Sequence, residues 1–69
     1  MPAELSNDEL KDFHAGAKRA AAKVSRDREV VGEAADFAVA QLVNRLDNVS
    51  SETPERKGWV AVVARNHAL

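Results

Sequence analysis

The chain has 69 residues, no cysteine and a formal net charge of −1. A domain of this length buries only about 60% of its unfolded surface, so its core is small, and disulfides and thiolate metal sites are excluded. It has no signal-peptide core and no run of about 18 apolar residues, so we expect a soluble, cytoplasmic protein without a membrane partner.

Charged residues are segregated along the chain. Residues 13–28 carry five basic side chains and one acid, whereas residues 29–55 carry six acids and one arginine. Residues 56–69 add three basic side chains and no acid. Because the net charge is weakly negative, any contact with nucleic acid must come from local basic patches and not from the whole surface.

The first helix is predicted by a start signal and an apolar stripe. Ser6 and Glu9 have the spacing of a capping box, in which each side chain bonds the backbone amide of the other residue. Leu5 and Leu10 can form the hydrophobic staple that accompanies it. We expect a helix over residues 7–24 with one buried stripe, which consists of Leu10, Phe13, Ala17, Ala20 or Ala21, and Val24.

The second helix is expected over residues 28–46, with Ser25 or Asp27 as its N-cap. Its main apolar stripe should face the other helices, and this stripe consists of Val31, Ala35, Ala38, Leu42 and Leu46, widened by Val39 and Val43. Phe37 lies about 140° from the centre of the stripe, in a second apolar patch with Val30, Ala34 and Gln41. An exposed ring on a small protein is typical of a contact surface, so we expect Phe37 to contact a partner or a second copy.

A polar connection over residues 48–52 leads to the third helix, expected over residues 54–69. Thr53 is predicted to cap it, and Pro54 to occupy its first helical position. One side of this helix is expected to be apolar and to place the indole in the core; it consists of Trp59, Val62, Val63 and Asn66, with Lys57, Ala61, Arg65 and Ala68 toward the other side. No segment has a strand pattern, so the fold class is all-α, a small three-helix bundle in a single domain over residues 1–69.

Nothing in the sequence predicts catalysis, a cofactor or a metal site. His14 and His67 are isolated and have no histidine or acid at ligand spacing, so we expect both to be surface residues. The chain has no nucleophile beside a base and no glycine-rich phosphate loop. We therefore expect a protein that is not an enzyme.

The order of the segments resembles region 2 of bacterial sigma factors of the sigma-70 family, of the extracytoplasmic-function (ECF) type. The run GWVAVVARNHAL at residues 58–69 is similar to the family's "aWLatvARNlAl" helix, which helps open and read the −10 promoter element. RDREVVGEAA at residues 26–35 and LVNRLD at residues 42–47 resemble the family's "DREvAEDlvQEvFlrLwrrLd" helix. The similarity covers residues 18–69 and implies a role in transcription initiation, with RNA polymerase core, promoter DNA and an anti-sigma factor as partners.

The resemblance also implies a docking face. In the family, the second helix docks on the clamp helices of the polymerase β′ subunit through a face written D-x-x-Q-E-x-F, which aligns with residues 33–39. The partner-binding residues implied here are Glu33, Asp36, Phe37, Ala40 and Gln41. Asp36 replaces the family's amide, Phe37 its acid and Val39 its aromatic residue, changes that should weaken docking. The same acids are also what an ordinary solvated helix face would carry.

The third helix carries the DNA contacts that the resemblance implies. Arg65 and Asn66 match the family's RN pair, in which the amide holds an unstacked −10 base and basic neighbours meet phosphate. The implied DNA-binding set is Arg56, Lys57, Trp59, Arg65 and Asn66. Lys18, Arg19 and Lys23 are secondary phosphate candidates.

In the family this helix continues beyond the position of Leu69 into an Arg-rich segment. The resemblance is therefore to a truncated or divergent region 2, which we would not expect to direct promoter-specific initiation alone. The alternative is a stand-alone α-helical interaction module, a homodimer or a transcription regulator, that binds through the Phe37 patch without contacting DNA.

Overall fold

The computed structural model describes residues 5–49 and 51–69, and in them the chain forms three helices: α1 (Asn7–Ala22), α2 (Arg28–Asn44) and α3 (Thr53–Ala68). Each helix contacts the other two, and no strand occurs in the described ranges. The prediction of an all-α three-helix arrangement is confirmed. Residues 1–4 of the predicted domain and Ser50 of the predicted connection lie outside the described residues.

The first two helices begin where their capping residues predict. The Ser6 hydroxyl accepts from the Glu9 amide at 3.2 Å, and the Glu9 carboxylate accepts from the Ser6 amide at 3.2 Å. Asp27 caps α2 by accepting from the amides of Glu29 and Val30. The Ser25 hydroxyl accepts instead from the Asp27 amide, so it supports the cap without being the cap.

The start of α3 differs from the prediction that Thr53 caps it. The first helical hydrogen bond runs from the Arg56 amide to the Glu52 carbonyl at 3.0 Å, which makes Glu52 the N-cap and Thr53 a helical residue. No side chain caps this end. Pro54 still lies in the first turn, where the lack of an amide hydrogen costs nothing because that hydrogen would have no partner.

Both α1 and α2 end two residues earlier than predicted. After Ala22 the amides of Lys23 and Val24 bond carbonyls three residues back, so the chain leaves the α-helical path. Val24, predicted to be in the core, is therefore exposed. After Asn44 the amides of Asn48 and Val49 both bond the Arg45 carbonyl, and this extra turn keeps Leu46 in the core although it lies outside α2.

The core is small and rich in alanine. Its largest fully buried side chains are one from each helix, namely Phe13, Leu42 and Val60. Around them the buried residues are mostly alanines that let the helices approach closely, namely Ala17, Ala21, Ala34, Ala35, Ala38 and Ala64. Val31 and Leu46 complete the core, whereas Val43, predicted to widen the α2 stripe, is 49% exposed.

The buried side of α3 is not the predicted one. Val60 is 1% exposed and Ala64 is fully buried, whereas Val62 is 47% exposed. Trp59 and Val63 are half-buried and pack against the edge of the core. The helix is therefore rotated so that the indole borders the core instead of filling it.

The reason lies in the composition of the helix. Residues 59–64 are six consecutive apolar residues, so nearly two turns of α3 have no polar side. A helical wheel cannot select the buried side of such a segment, and packing against the alanines of α1 and α2 selects it instead. Within the described ranges, no helix is both long and apolar enough to traverse a lipid bilayer.

Candidate functional site

The side of α2 that faces solvent collects the residues predicted to bind a partner. We call it the α2 outer face, and its exposed residues are Glu29, Glu33, Asp36, Phe37, Ala40, Val43 and Asn44. It carries three carboxylates and neither lysine nor arginine. Four of the five predicted partner-binding residues lie on this face. The fifth, Gln41, is half-buried at its edge. The opposite side of α2 is the core stripe, so one side of the helix packs in the core and the other is exposed to solvent.

One edge of the α2 outer face is connected to α1. His14 Nε2 lies 2.7 Å from Asp36 Oδ1, within hydrogen-bonding distance. The Asp36 side chain remains 77% exposed, so the contact holds the carboxylate in place without removing it from solvent. The carboxylate that the sequence assigns to a partner is therefore also a link between α1 and α2.

The other edge of the α2 outer face is connected to α3. The rings of Phe37 and His67 are stacked, with centroids 4.2 Å apart and an angle of 16° between their planes. His67 Nε2 also lies 3.7 Å from Glu33 Oε1. Phe37 is consequently 39% exposed, and its free surface is smaller than that of an isolated ring. The predicted second apolar patch is reduced further because Ala34 is in the core.

These contacts correct the interpretation of both histidines. They are surface-accessible, as predicted, but each lies beside an acid of the α2 outer face and neither is isolated. Sequence spacing could not reveal the pairs, because the partners are on different helices. In the described part of the chain, no three histidine, cysteine or acidic side chains come close enough to hold a metal ion.

The remaining partner-binding candidates are near the end of α2. Gln41 accepts a hydrogen bond from Arg45 Nε at 3.3 Å, which leaves its amide nitrogen available. Ala40 is exposed and lies three residues from both Phe37 and Val43. Because residues three apart are neighbours on a helix surface, Phe37, Ala40 and Val43 form one apolar ridge across the acidic face.

The DNA-binding candidates do not form a comparable face. At about 100° per residue, Trp59 and Asn66 point in nearly the same direction, whereas Arg65 is about a third of a turn from Trp59. Arg56 and Lys57 lie near the start of α3, on the sides toward and beside the core. Arg56 is half-buried, and Lys57, Arg65 and Asn66 are exposed. Trp59 therefore shares its direction with Asn66 and has Arg56 as a neighbour one turn earlier, whereas Lys57 and Arg65 lie on other sides of the helix.

In comparisons with protein-family models, with curated proteins and with solved structures, nothing matches this chain.

Proposed function

We propose that this protein is a sigma factor region 2-like domain that docks on the clamp helices of the RNA polymerase β′ subunit through the α2 outer face. The single observation that carries the proposal is that the five partner-binding positions share one side of α2. The buried residues of α2 lie on the opposite side, so docking does not require the bundle to open. A surface with three carboxylates and no basic residue is complementary to a basic helical partner.

The proposal includes a contact with the −10 promoter element through α3. It is supported by Trp59, whose indole is half-buried, so part of its surface stays accessible for stacking on an unpaired base. Asn66, exposed on the same side, can donate to and accept from a base edge. We assign the base contact to Trp59 and Asn66, which point in nearly the same direction, and a phosphate contact to Arg56, which lies one turn before Trp59.

The docking step is tested by pulling down the β′ clamp-helix fragment with the domain and with Glu33→Arg. Glu33 is 75% exposed and its contact with His67 is long, so the substitution should leave the fold intact. It places a positive charge against a basic partner, and we expect binding to weaken by at least about tenfold, or about 1.4 kcal/mol.

Asp12→Arg is the matched control, because it makes the same charge change at an exposed position of α1. It should change binding by less than about twofold, since it lies off the docking face. If both variants bind like the wild type, or if the wild type does not bind at micromolar concentration, polymerase docking is wrong.

A second candidate function, a homodimeric interaction module without DNA binding, is favoured by the apolar ridge of Phe37, Ala40 and Val43. Phe37→Glu separates the two candidates when the pull-down is combined with a measurement of the oligomeric state. It restores a charge that the family has at this position and should preserve docking on the β′ fragment, but it should convert a dimer to a monomer by burying a charge in the interface.

A further inference from the structure

A cleft lies where the end of α1 meets the beginning of α2. Its volume is about 590 Å³, and it is lined by Lys18, Ala22, Ser25, Arg26, Arg28 and Val31. We call it the basic cleft. Its volume is within the range of small-molecule sites, about 300–1,000 Å³, and exceeds what a single phosphate group needs. It is separate from the five partner-binding positions, which begin at Glu33.

Three of the six lining residues are cations. Among residues 5–49 and 51–69, Lys18, Arg26 and Arg28 form no ion pair. Asp27 lies between the two arginines, but its carboxylate accepts from the amides of Glu29 and Val30 at 2.9 and 3.4 Å. That carboxylate is therefore engaged by the helix terminus and does not pair with its neighbours.

The position of the arginines is unfavourable for the free protein. Arg26 and Arg28 flank the N-cap of α2, and the positive end of a helix dipole disfavours cations there. Cations placed against the dipole destabilise the empty site, and an anion bound there would be attracted by both guanidinium groups. The Ser25 hydroxyl accepts from the Asp27 amide at 3.2 Å, so its own hydrogen is free to donate to such an anion.

We propose that the basic cleft binds two or more neighbouring phosphate groups, as they occur in a nucleotide polyphosphate or along a nucleic-acid strand. Arg28 and Arg26 supply forked guanidinium donors and Lys18 a point charge from the facing helix. Ala22 and Val31 form the apolar wall against which the sugar or the linker packs. This inference does not depend on polymerase docking, because the two surfaces share no residue.

The experiment measures the affinity of two probes, inorganic tripolyphosphate by calorimetry and a fluorescent thymidine oligonucleotide by anisotropy. The test variant is Lys18→Gln with Arg28→Gln. The matched control is Lys11→Gln with Arg45→Gln, which removes the same two charges, one lysine and one arginine, at exposed positions that do not line the cleft. We expect the test variant to bind at least about tenfold more weakly, because two charge-assisted contacts are lost.

The salt dependence provides a second measurement. For the oligonucleotide, the slope of log affinity against log salt should fall by about 1.4 in the test variant, since each phosphate contact with a single strand contributes about 0.7. Without ligand, the melting temperature of the test variant should be no lower than that of the wild type, because Arg28→Gln removes a positive charge from the N-terminus of α2.

The two probes distinguish the source of the phosphate. Selective loss of tripolyphosphate binding assigns the cleft to a free polyphosphate or nucleotide, and selective loss of oligonucleotide binding, or loss of both, assigns it to a strand. Equal losses in the test and control variants would show only a diffuse charge effect and overturn the proposal. The proposal would also be overturned if the wild type bound neither probe.

Discussion

α2 and α3 are of similar length and contact the same core, but they relate differently to their sequences. In α2 the apolar stripe predicts the buried side, and the opposite side gathers the candidate partner residues. In α3 the buried residues are Val60 and Ala64, not the predicted side, and the candidate DNA residues are distributed around the helix. The same wheel geometry thus succeeds in one helix and is wrong in the other.

The difference teaches how much information a helix needs to fix its rotation. α2 carries three acids, Glu29, Glu33 and Asp36, on the side opposite its stripe, so turning that side toward the core would bury charge. Residues 59–64 of α3 contain no charge at all, so several rotations cost similar amounts of hydrophobic free energy. The side-chain volumes of α1 and α2 then decide which side of α3 is buried.

The largest expected effect separates two neighbouring valines of α3. Val60→Asp places a carboxylate at a site that is 1% exposed, which should cost more than about 3 kcal/mol, close to the whole stability of so small a domain. We expect this variant to be unfolded in its circular dichroism spectrum. Val62→Asp, at a site 47% exposed, is the matched control and should melt within a few degrees of the wild type. The reverse order would mean that α3 is rotated as the sequence predicted.

A smaller effect compares the two helix starts. Asp27→Ala removes a side chain that accepts from two backbone amides, and we expect the free energy of unfolding to fall by about 1 kcal/mol. Thr53→Ala should lower it by less than about 0.3 kcal/mol, because no side chain caps α3 and a helical threonine is a poor helix former. Urea denaturation of both variants measures the difference. Equal losses of unfolding free energy in the two variants would show that the Thr53 side chain caps α3.

The smallest effect concerns the connection between α2 and α3. A double-mutant cycle with Phe37→Ala and His67→Ala should give a coupling energy of about 0.5–1 kcal/mol, the usual size for stacked rings. Glu33→Ala combined with His67→Ala is the comparison cycle, and its exposed contact at 3.7 Å should couple by less than about 0.5 kcal/mol. A Phe37 coupling near zero would show that the stack does not hold the α2 outer face against α3.

Part of the candidate site follows directly from the sequence. A stripe of apolar residues at helical spacing places Glu33, Asp36 and Phe37 on the side away from the core, and the structure has them there. The histidine partners of these residues do not follow, because His14 and His67 come from other helices and their contacts depend on how far each helix slides along α2. The basic cleft does not follow either, since Lys18 and Arg28 become neighbours only when α1 and α2 pack.

Local chemistry determined much of this protein. The capping box at Ser6 and Glu9 and the cap at Asp27 fixed where α1 and α2 begin, since these hydrogen bonds join residues two or three positions apart. The apolar stripes of α1 and α2 and the apolar run of α3 indicated that three helices form one bundle. Tertiary structure decided the rotation of α3, the pairing of each histidine with an acid of α2, and the meeting of three cations at one cleft. Those features arise between helices, where side-chain volume and helix offset select among arrangements that the local sequence leaves nearly equal in free energy.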